Sequence, residues 1–131
     1  MPIQFAFDAE NGILLCEFSG RLNDKGLMDY QAEAKKRAKQ VKARIMILEF
    51  KNITSVDVSM AGISLIAKAA PAARGAGKPR IIVAPTELIY GKSRAFEMLA
   101  EGSRPGLRIV RSRKEAYALL NIPEPTFEPI G

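Results

Sequence analysis

Histidine is absent from this sequence, and cysteine occurs once in 131 residues. Without histidine, no imidazole base can activate a serine or cysteine nucleophile, and the commonest metal ligand is missing. The lone Cys16 also excludes an internal disulfide and a tetrahedral zinc site of the usual kind. We therefore expect a binding protein rather than an enzyme, with no metal and no cofactor. Carboxylate, lysine or tyrosine chemistry stays formally open.

Long apolar runs are also missing. No stretch approaches the roughly 20 apolar residues that span a bilayer. The first residues, Met1-Pro2-Ile3-Gln4-Phe5, lack the basic region, apolar run and cleavage site of a secretory signal. We accordingly expect a cytoplasmic protein with no membrane span.

The charge balance is basic, with 20 Lys+Arg against 14 Asp+Glu and a net charge of +6. Such a balance tolerates anionic partners without choosing among them. The positive residues are spread over several segments, so we expect no nucleic-acid binding. The densest group, Lys35, Lys36, Lys39 and Lys42, lies on one face of a predicted helix. We interpret that face as solvated.

The first half of the chain predicts a hairpin, a helix and a buried strand. Alternation at Ile3, Phe5 and Phe7 and then at Leu14, Cys16 and Phe18 predicts two strands. Asn11-Gly12 supplies the turn between them, and Gly20 is expected to end the hairpin. Helical spacing begins after an N-cap at Asn23 or Asp24, and the apolar run 45–50 predicts a central strand. Residues 51–59 are interpreted as a polar connection.

The second half alternates helices and strands. The first predicted pair is a helix over 59–74, ended by Gly75-Ala76-Gly77, and a strand over 81–84. The second pair is a helix from Leu88 or Gly91 to Glu101 and an edge strand over 107–110. A last helix is opened by the capping box Ser112-Arg113-Lys114-Glu115. The order is β-β-α-β-α-β-α-β-α. It predicts one α/β domain over residues 1–121, with a five-stranded mixed sheet and four helices.

The last ten residues, 122–131, include three prolines. Proline fixes φ and lacks a backbone donor, so we expect an extended tail. It is either loosely attached or laid as a strap over a groove, with Phe127 and Ile130 as anchors.

The stretch Asn52-Ile53-Thr54-Ser55-Val56-Asp57-Val58-Ser59-Met60-Ala61-Gly62-Ile63, together with the element order, resembles the STAS domain. In the anti-sigma-factor antagonists of that family, Asp-Ser-Ser-Gly opens the second helix, and its second serine is phosphorylated by a kinase. By that resemblance Asp57 matches the aspartate and Ser59 the phosphorylated serine. Val58 and Met60 replace the family's Ser and Gly.

A second stretch, Tyr90-Gly91-Lys92-Ser93-Arg94-Ala95-Phe96, resembles the Tyr-Gly-x-x-Arg-x-Phe segment of a bacterial branch called SpoIIAA-like or STAS/Sec14-like. The two resemblances imply a SpoIIAA/STAS-like fold. They also imply a regulatory, protein-binding module that resembles the anti-sigma factor antagonists.

The predicted docking and phosphorylation site is therefore Ser59 with Asp57 and Gly62. A serine at a helix start also has a purely structural interpretation, because its oxygen accepts from the first backbone N–H groups. Both interpretations stay open, and Asp57 is likewise either a cap or a contact for a partner. The expected partner is a kinase or another regulator.

An alternative function is a carrier or sensor of a small amphipathic ligand, lipid-like or anionic. Tyr90, Arg94 and Phe96 would then line a groove at the start of the third helix, under the proline-rich tail. Phe96 also fits an inward helical stripe, and Arg94 fits a solvated position. An edge strand and a second helix rich in small residues favour pairing of two copies, so a homodimer stays open.

Overall fold

The computed structural model describes residues 3–68, 79–100 and 106–130. In chain order the elements are β1 (Ile3–Asp8), β2 (Ile13–Asn23), α1 (Asp24–Val41), β3 (Ile45–Asp57), α2 (Met60–Lys68), β4 (Arg80–Val83), α3 (Glu87–Leu99), β5 (Leu107–Val110), α4 (Arg113–Leu120) and β6 (Glu128–Ile130). Within this part of the chain, no helix is long and apolar enough to cross a bilayer.

The strands form one mixed sheet in the order β5-β4-β3-β2-β1-β6. β2, β3, β4 and β5 run parallel to one another, whereas β1 is antiparallel to β2 and to β6. The predicted α/β class, the mixed sheet and the four helices are confirmed. The sheet has six strands rather than five, because the C-terminal segment contributes β6.

Helices cover both faces of the sheet, which explains why residues 13–16 of β2 and 45–48 of β3 are continuously apolar. The inward side chains Leu14, Cys16 and Phe18 face α1, α2 and α3, as their alternation predicts. Ile13 and Leu15, between them in sequence, face the opposite way and pack beneath α4. Cys16 is fully buried, and this burial raises the pKa of its thiol. A buried thiol of this kind behaves as a small apolar side chain.

Two predicted strand ends are wrong: the C-terminal end of β2 and the C-terminal end of β3. β2 does not end at Gly20 but continues to Asn23, with irregular register on either side of Ser19 and Gly20. Gly20 has a φ of +77°, which a glycine adopts without strain, so it bends the strand instead of stopping it. β3 in turn extends through 51–57, the predicted polar connection, because the lengthened β2 offers it hydrogen-bonding partners as far as Asn23.

The starts of α1, α3 and α4 are set by side chains that cap the first turn of each helix. Asn23 caps α1 by accepting from Gly26 N, and Ser112 caps α4 by accepting from Glu115 N, both as predicted. α3 begins earlier than expected, at Glu87, because the side chain of Thr86 accepts from Ile89 N. α3 ends at Leu99, two residues before the predicted Glu101. The predicted end of α2 at Arg74 and its Gly75-Ala76-Gly77 cap lie outside the described residues.

The proline-rich segment ends as an edge strand. β6 pairs with β1, where Phe5 lies opposite Ile130 and Ala6 opposite Pro129. A proline is tolerated at an edge because a donor on its outer side would face solvent. Phe127 and Ile130 are half-buried, and each packs against a different one of the two cores. The segment therefore covers the outer edge of β1.

Candidate functional site

The candidate site lies where the parallel strands β2 and β3 end and the helices α1 and α2 begin. β3 ends at Asp57, and α2 begins at Met60. Between them, Val58 is buried and Ser59 is exposed. The carboxyl ends of parallel strands are where open α/β sheets commonly place their functional groups.

Ser59 is the cap of α2, and its hydroxyl makes two hydrogen bonds. Its Oγ accepts from Gly62 N at 2.9 Å and donates to Asp24 Oδ2 at 2.6 Å. The backbone N–H of Ser59 donates to the other carboxylate oxygen, Asp24 Oδ1, at 3.0 Å. Ser59 therefore caps α2, as the structural interpretation predicts. Its hydroxyl is also fixed at the surface by its hydrogen bond to the Asp24 carboxylate.

Asp24 reaches Ser59 because the sheet brings their elements together. Asn23 and Asp57, the last residues of β2 and β3, are neighbours in the parallel ladder. Asp24 directly follows the first of these strands, and Ser59 follows the second by two positions. The hydroxyl of Ser59, and then its backbone N–H, hold the pKa of Asp24 below its usual value, and the positive charge of Lys92 adds a smaller effect in the same direction.

Gly62 allows this contact to form. It is buried in the first turn of α2, directly against the Asp24 carboxylate. A Cβ atom placed on Gly62 would collide with Oδ1 and Cγ of Asp24. Glycine is thus required here for the close approach of a side chain rather than for an unusual backbone angle.

Lys92 brings α3 to the same site. Its Nζ donates to the carbonyl oxygen of Val58 at 3.0 Å. Asp24, Ser59 and Lys92 thus gather from the starts of α1 and α2 and the middle of α3. A phosphate on Ser59 would meet repulsion from Asp24, attraction from Lys92, and the favourable positive end of the α2 dipole.

Asp57, the predicted acidic member of the site, is exposed at the end of β3. The carboxylate that contacts Ser59 belongs instead to Asp24. The sequence indicated Asp24 only as a possible helix cap, since 35 residues separate it from Ser59. Only the pairing of β2 with β3 reveals the contact.

The three residues of the predicted ligand groove have different surroundings on α3. The Tyr90 ring is stacked under the guanidinium of Arg111, at 3.9 Å from the ring centre. Arg94 pairs with Glu97 at 2.7 Å and is half exposed. Phe96 packs against the core and lines a cavity of about 90 Å³ between the sheet and α1, α2 and α3, which we call the α2 cavity.

Within residues 3–68, 79–100 and 106–130, no cluster of three or more histidine, cysteine, aspartate or glutamate side chains is arranged to hold an ion.

Comparison with known proteins finds likeness in structure only. No protein-family model and no curated protein sequence matches the chain. Among solved structures, the unphosphorylated form of the anti-sigma factor antagonist SpoIIAA has a TM-score of 0.58 at 13% identity, covering 92% of this chain and 98% of SpoIIAA. The phosphorylated form of SpoIIAA, a Bacillus cell fate determinant, has a TM-score of 0.57 at 14% identity and covers 91% and 99%. The chain therefore has the SpoIIAA fold, a STAS fold, as its sequence predicts.

Proposed function

We propose that this protein is a non-enzymatic regulatory module that binds a protein partner in the cytoplasm and is switched by phosphorylation of Ser59. One observation carries the proposal: an exposed serine hydroxyl caps α2 and is tied to Asp24 of α1. A kinase can reach this hydroxyl, and adding a phosphate removes the proton that Ser59 donates to Asp24.

Exposed apolar side chains on α2 and α3 are our candidates for the docking surface. Met60 is 55% exposed and Leu65 is 59% exposed, both on α2. Leu88, one turn before Lys92 on α3, is 56% exposed. Exposed apolar side chains beside polar groups are typical of protein interfaces. We call Ser59, Met60, Leu65 and Leu88 the α2 surface.

Phosphorylation would change this surface in two ways. It adds a charge of about −2 beside the exposed apolar side chains of the α2 surface. It also places this charge next to the Asp24 carboxylate. The hydrogen bonding between Ser59 and Asp24, which we call the tie between α1 and α2, then breaks. A partner that binds the unmodified α2 surface would therefore lose both apolar contact and charge compatibility.

The likeness to SpoIIAA supports this proposal without deciding it. SpoIIAA is an anti-sigma factor antagonist that exists in unphosphorylated and phosphorylated forms. The matching of Ser59 to the family's phosphorylated serine rests on the sequence resemblance. The lack of histidine supports a non-enzymatic role, because nucleophile activation by imidazole is excluded.

The test is affinity capture from the native organism with three forms of the protein: wild type, Ser59→Glu and Ser112→Glu. Ser112 is a matched control, because it caps α4, which packs on the opposite face of the sheet. We expect one partner to be captured by the wild type and by Ser112→Glu but lost with Ser59→Glu. Equal capture by all three forms, or no capture by any, would contradict the proposal.

A further inference from the structure

A groove of about 680 Å³ lies at the β6 edge of the sheet, bounded by β1, β2, β6 and α1. We call it the β1 groove. Ile3 and Phe5 of β1, together with Ile130 of β6, form its apolar part. Gln4 and its cross-strand neighbour Glu17 line it as well. Since successive residues of a strand face opposite sides of a sheet, the β1 groove opens onto both faces of β1.

β6 shows what this edge of β1 accepts. It is an extended segment that pairs antiparallel with β1, and it places Ile130 opposite Phe5 on the face covered by α1. The pairing is short: within the described residues, it involves three of the six residues of β1. The middle residue of β6, Pro129, has no backbone donor. A longer strand without proline would therefore form more hydrogen bonds with the same edge.

The β1 groove is acidic, in a protein whose net charge is +6. Among the described residues, three carboxylates line it, from Glu17, Asp29 and Glu33, against one cation, Arg37. The carboxylates are partly exposed, whereas the side chain of Arg37 is only 19% exposed and lies over the ring of Phe5. The charge that faces solvent in the β1 groove is therefore mainly negative.

The ion pairs of these acids leave room for a further cation. Asp29 pairs with Lys25 at the surface, and exposed pairs of this kind are weak. Glu17 shares the guanidinium of Arg113 with Glu49, which receives two hydrogen bonds from it. Two carboxylates against one guanidinium leave a net negative charge beside Gln4.

We propose that the β1 groove binds an extended basic segment of a partner protein, which pairs with β1 in place of β6. Addition of a strand to a sheet edge is a common mode of peptide recognition. In the register of β6, the partner residue opposite Phe5 is apolar, like Ile130. The next partner residue lies opposite Gln4, on the side of Glu17, and is lysine or arginine. β6 then acts as a tethered competitor, and the site does not depend on phosphorylation of Ser59.

The first experiment titrates the full-length, unmodified protein with the peptide Thr-Phe-Glu-Val-Ile-Lys-Val-Lys. This peptide keeps the pattern of β6, replaces its proline and adds two lysines. The same peptide with glutamate at both lysine positions is the matched control. Backbone-amide NMR should show saturable shifts at residues 3–7, and the signals of residues 128 and 130 should move to unfolded positions. Residues 107–110 are the internal control, because β5 is the opposite edge strand. The lysine peptide should bind at least about tenfold more tightly.

The second experiment tests the acidic lining. Glu17→Gln and Asp29→Asn should each weaken binding of the lysine peptide by about two- to fivefold, and the effect should shrink at high salt. Glu97→Gln on α3 is the matched control, since it removes an equal charge outside the β1 groove. It should leave the affinity unchanged.

Four results would overturn the proposal: no saturable shift up to about 1 mM peptide, the effective concentration of a tethered strand; equal affinity for the lysine and glutamate peptides; equal shifts at β5; or binding with β6 still paired to β1. A protein that is already a dimer through exchanged β6 strands would overturn it as well. Light scattering at the concentration used for NMR detects that state.

Discussion

The carboxylate of Asp24 accepts two hydrogen bonds from Ser59, one from the hydroxyl at 2.6 Å and one from the backbone N–H at 3.0 Å. This contact joins the first turn of α1 to the cap of α2 across the carboxyl edge of the sheet. Both residues lie at the surface, so a chemical change at the hydroxyl reaches the tie directly.

Replacing Ser59 with alanine should destabilise the protein by about 1–2 kcal/mol, since the helix loses its cap and Asp24 loses the hydrogen bond from the hydroxyl. Ser112→Ala removes a comparable cap from α4 without a carboxylate tie of this kind. We expect its cost to be smaller, about 1 kcal/mol or less. Urea unfolding of the two variants measures both values. A larger loss in Ser112→Ala would contradict the importance of the tie.

The tie should also appear in the pH dependence of stability. The pKa of Asp24 is lowered in the folded state, so its contribution is present above the unfolded pKa of about 3.9. That contribution is lost as the pH falls through the lower, folded pKa.

Asp24→Asn should therefore be less stable than the wild type at neutral pH, and the difference should shrink on acidification below about pH 4. Thermal melting across this range measures it. Asp29→Asn is the control, because Asp29 is an exposed acid on the same helix that pairs with Lys25. A pH-independent difference for Asp24→Asn would contradict the assignment.

Gly62→Ala should destabilise the protein even though alanine favours helix. The added Cβ must displace the Asp24 carboxylate, and forced contacts of this kind cost about 1–3 kcal/mol. Gly91→Ala in α3 is the matched control. Its Cβ meets no atom within 4 Å, so the substitution should stabilise the protein by up to about 1 kcal/mol.

A double-mutant cycle separates the collision from other effects of the Gly62 substitution. In the Asp24→Ala background the obstructing carboxylate is gone, and Gly62→Ala should become neutral or stabilising. The same penalty in both backgrounds would show that Asp24 is not the obstacle.

Deleting residues 122–131 should lower the melting temperature and promote self-association. The deletion removes β6 and the packing of Phe127, and it exposes the outer edge of β1. Unpaired strand edges recruit further chains. Light scattering after size-exclusion chromatography measures the association. Pro129→Ala is the control that keeps the strand. A truncated chain that stays as stable and as monodisperse as the wild type would contradict this role.

The sequence predicted the fold well because its signals were local. Alternation at Leu14, Cys16 and Phe18, the caps at Asn23 and Ser112, and the apolar run at 45–50 each specify an element within a short window. The misplaced C-terminal end of β2 and the extension of β3 had a different cause. Residues 51–57 look like a polar loop by composition, and only the pairing with an extended β2 makes them a strand.

The site was predicted only in part for the same reason. Ser59, Asp57 and Gly62 could be proposed from the sequence because all three fall in one short stretch that resembles the STAS motif at the start of the second helix. Asp24 was missed as their partner because its contact depends on the register of β2 against β3, which no short-range pattern encodes.

The most direct test of the central claim is the phosphate occupancy of Ser59 in protein isolated from its native cells under several growth conditions. Intact-mass measurement followed by peptide mapping gives the modified residue and its fraction. We expect one phosphate, on Ser59, at a fraction that changes with growth condition. Unmodified Ser59 under every condition, or a phosphate found only on another residue, would contradict the switch.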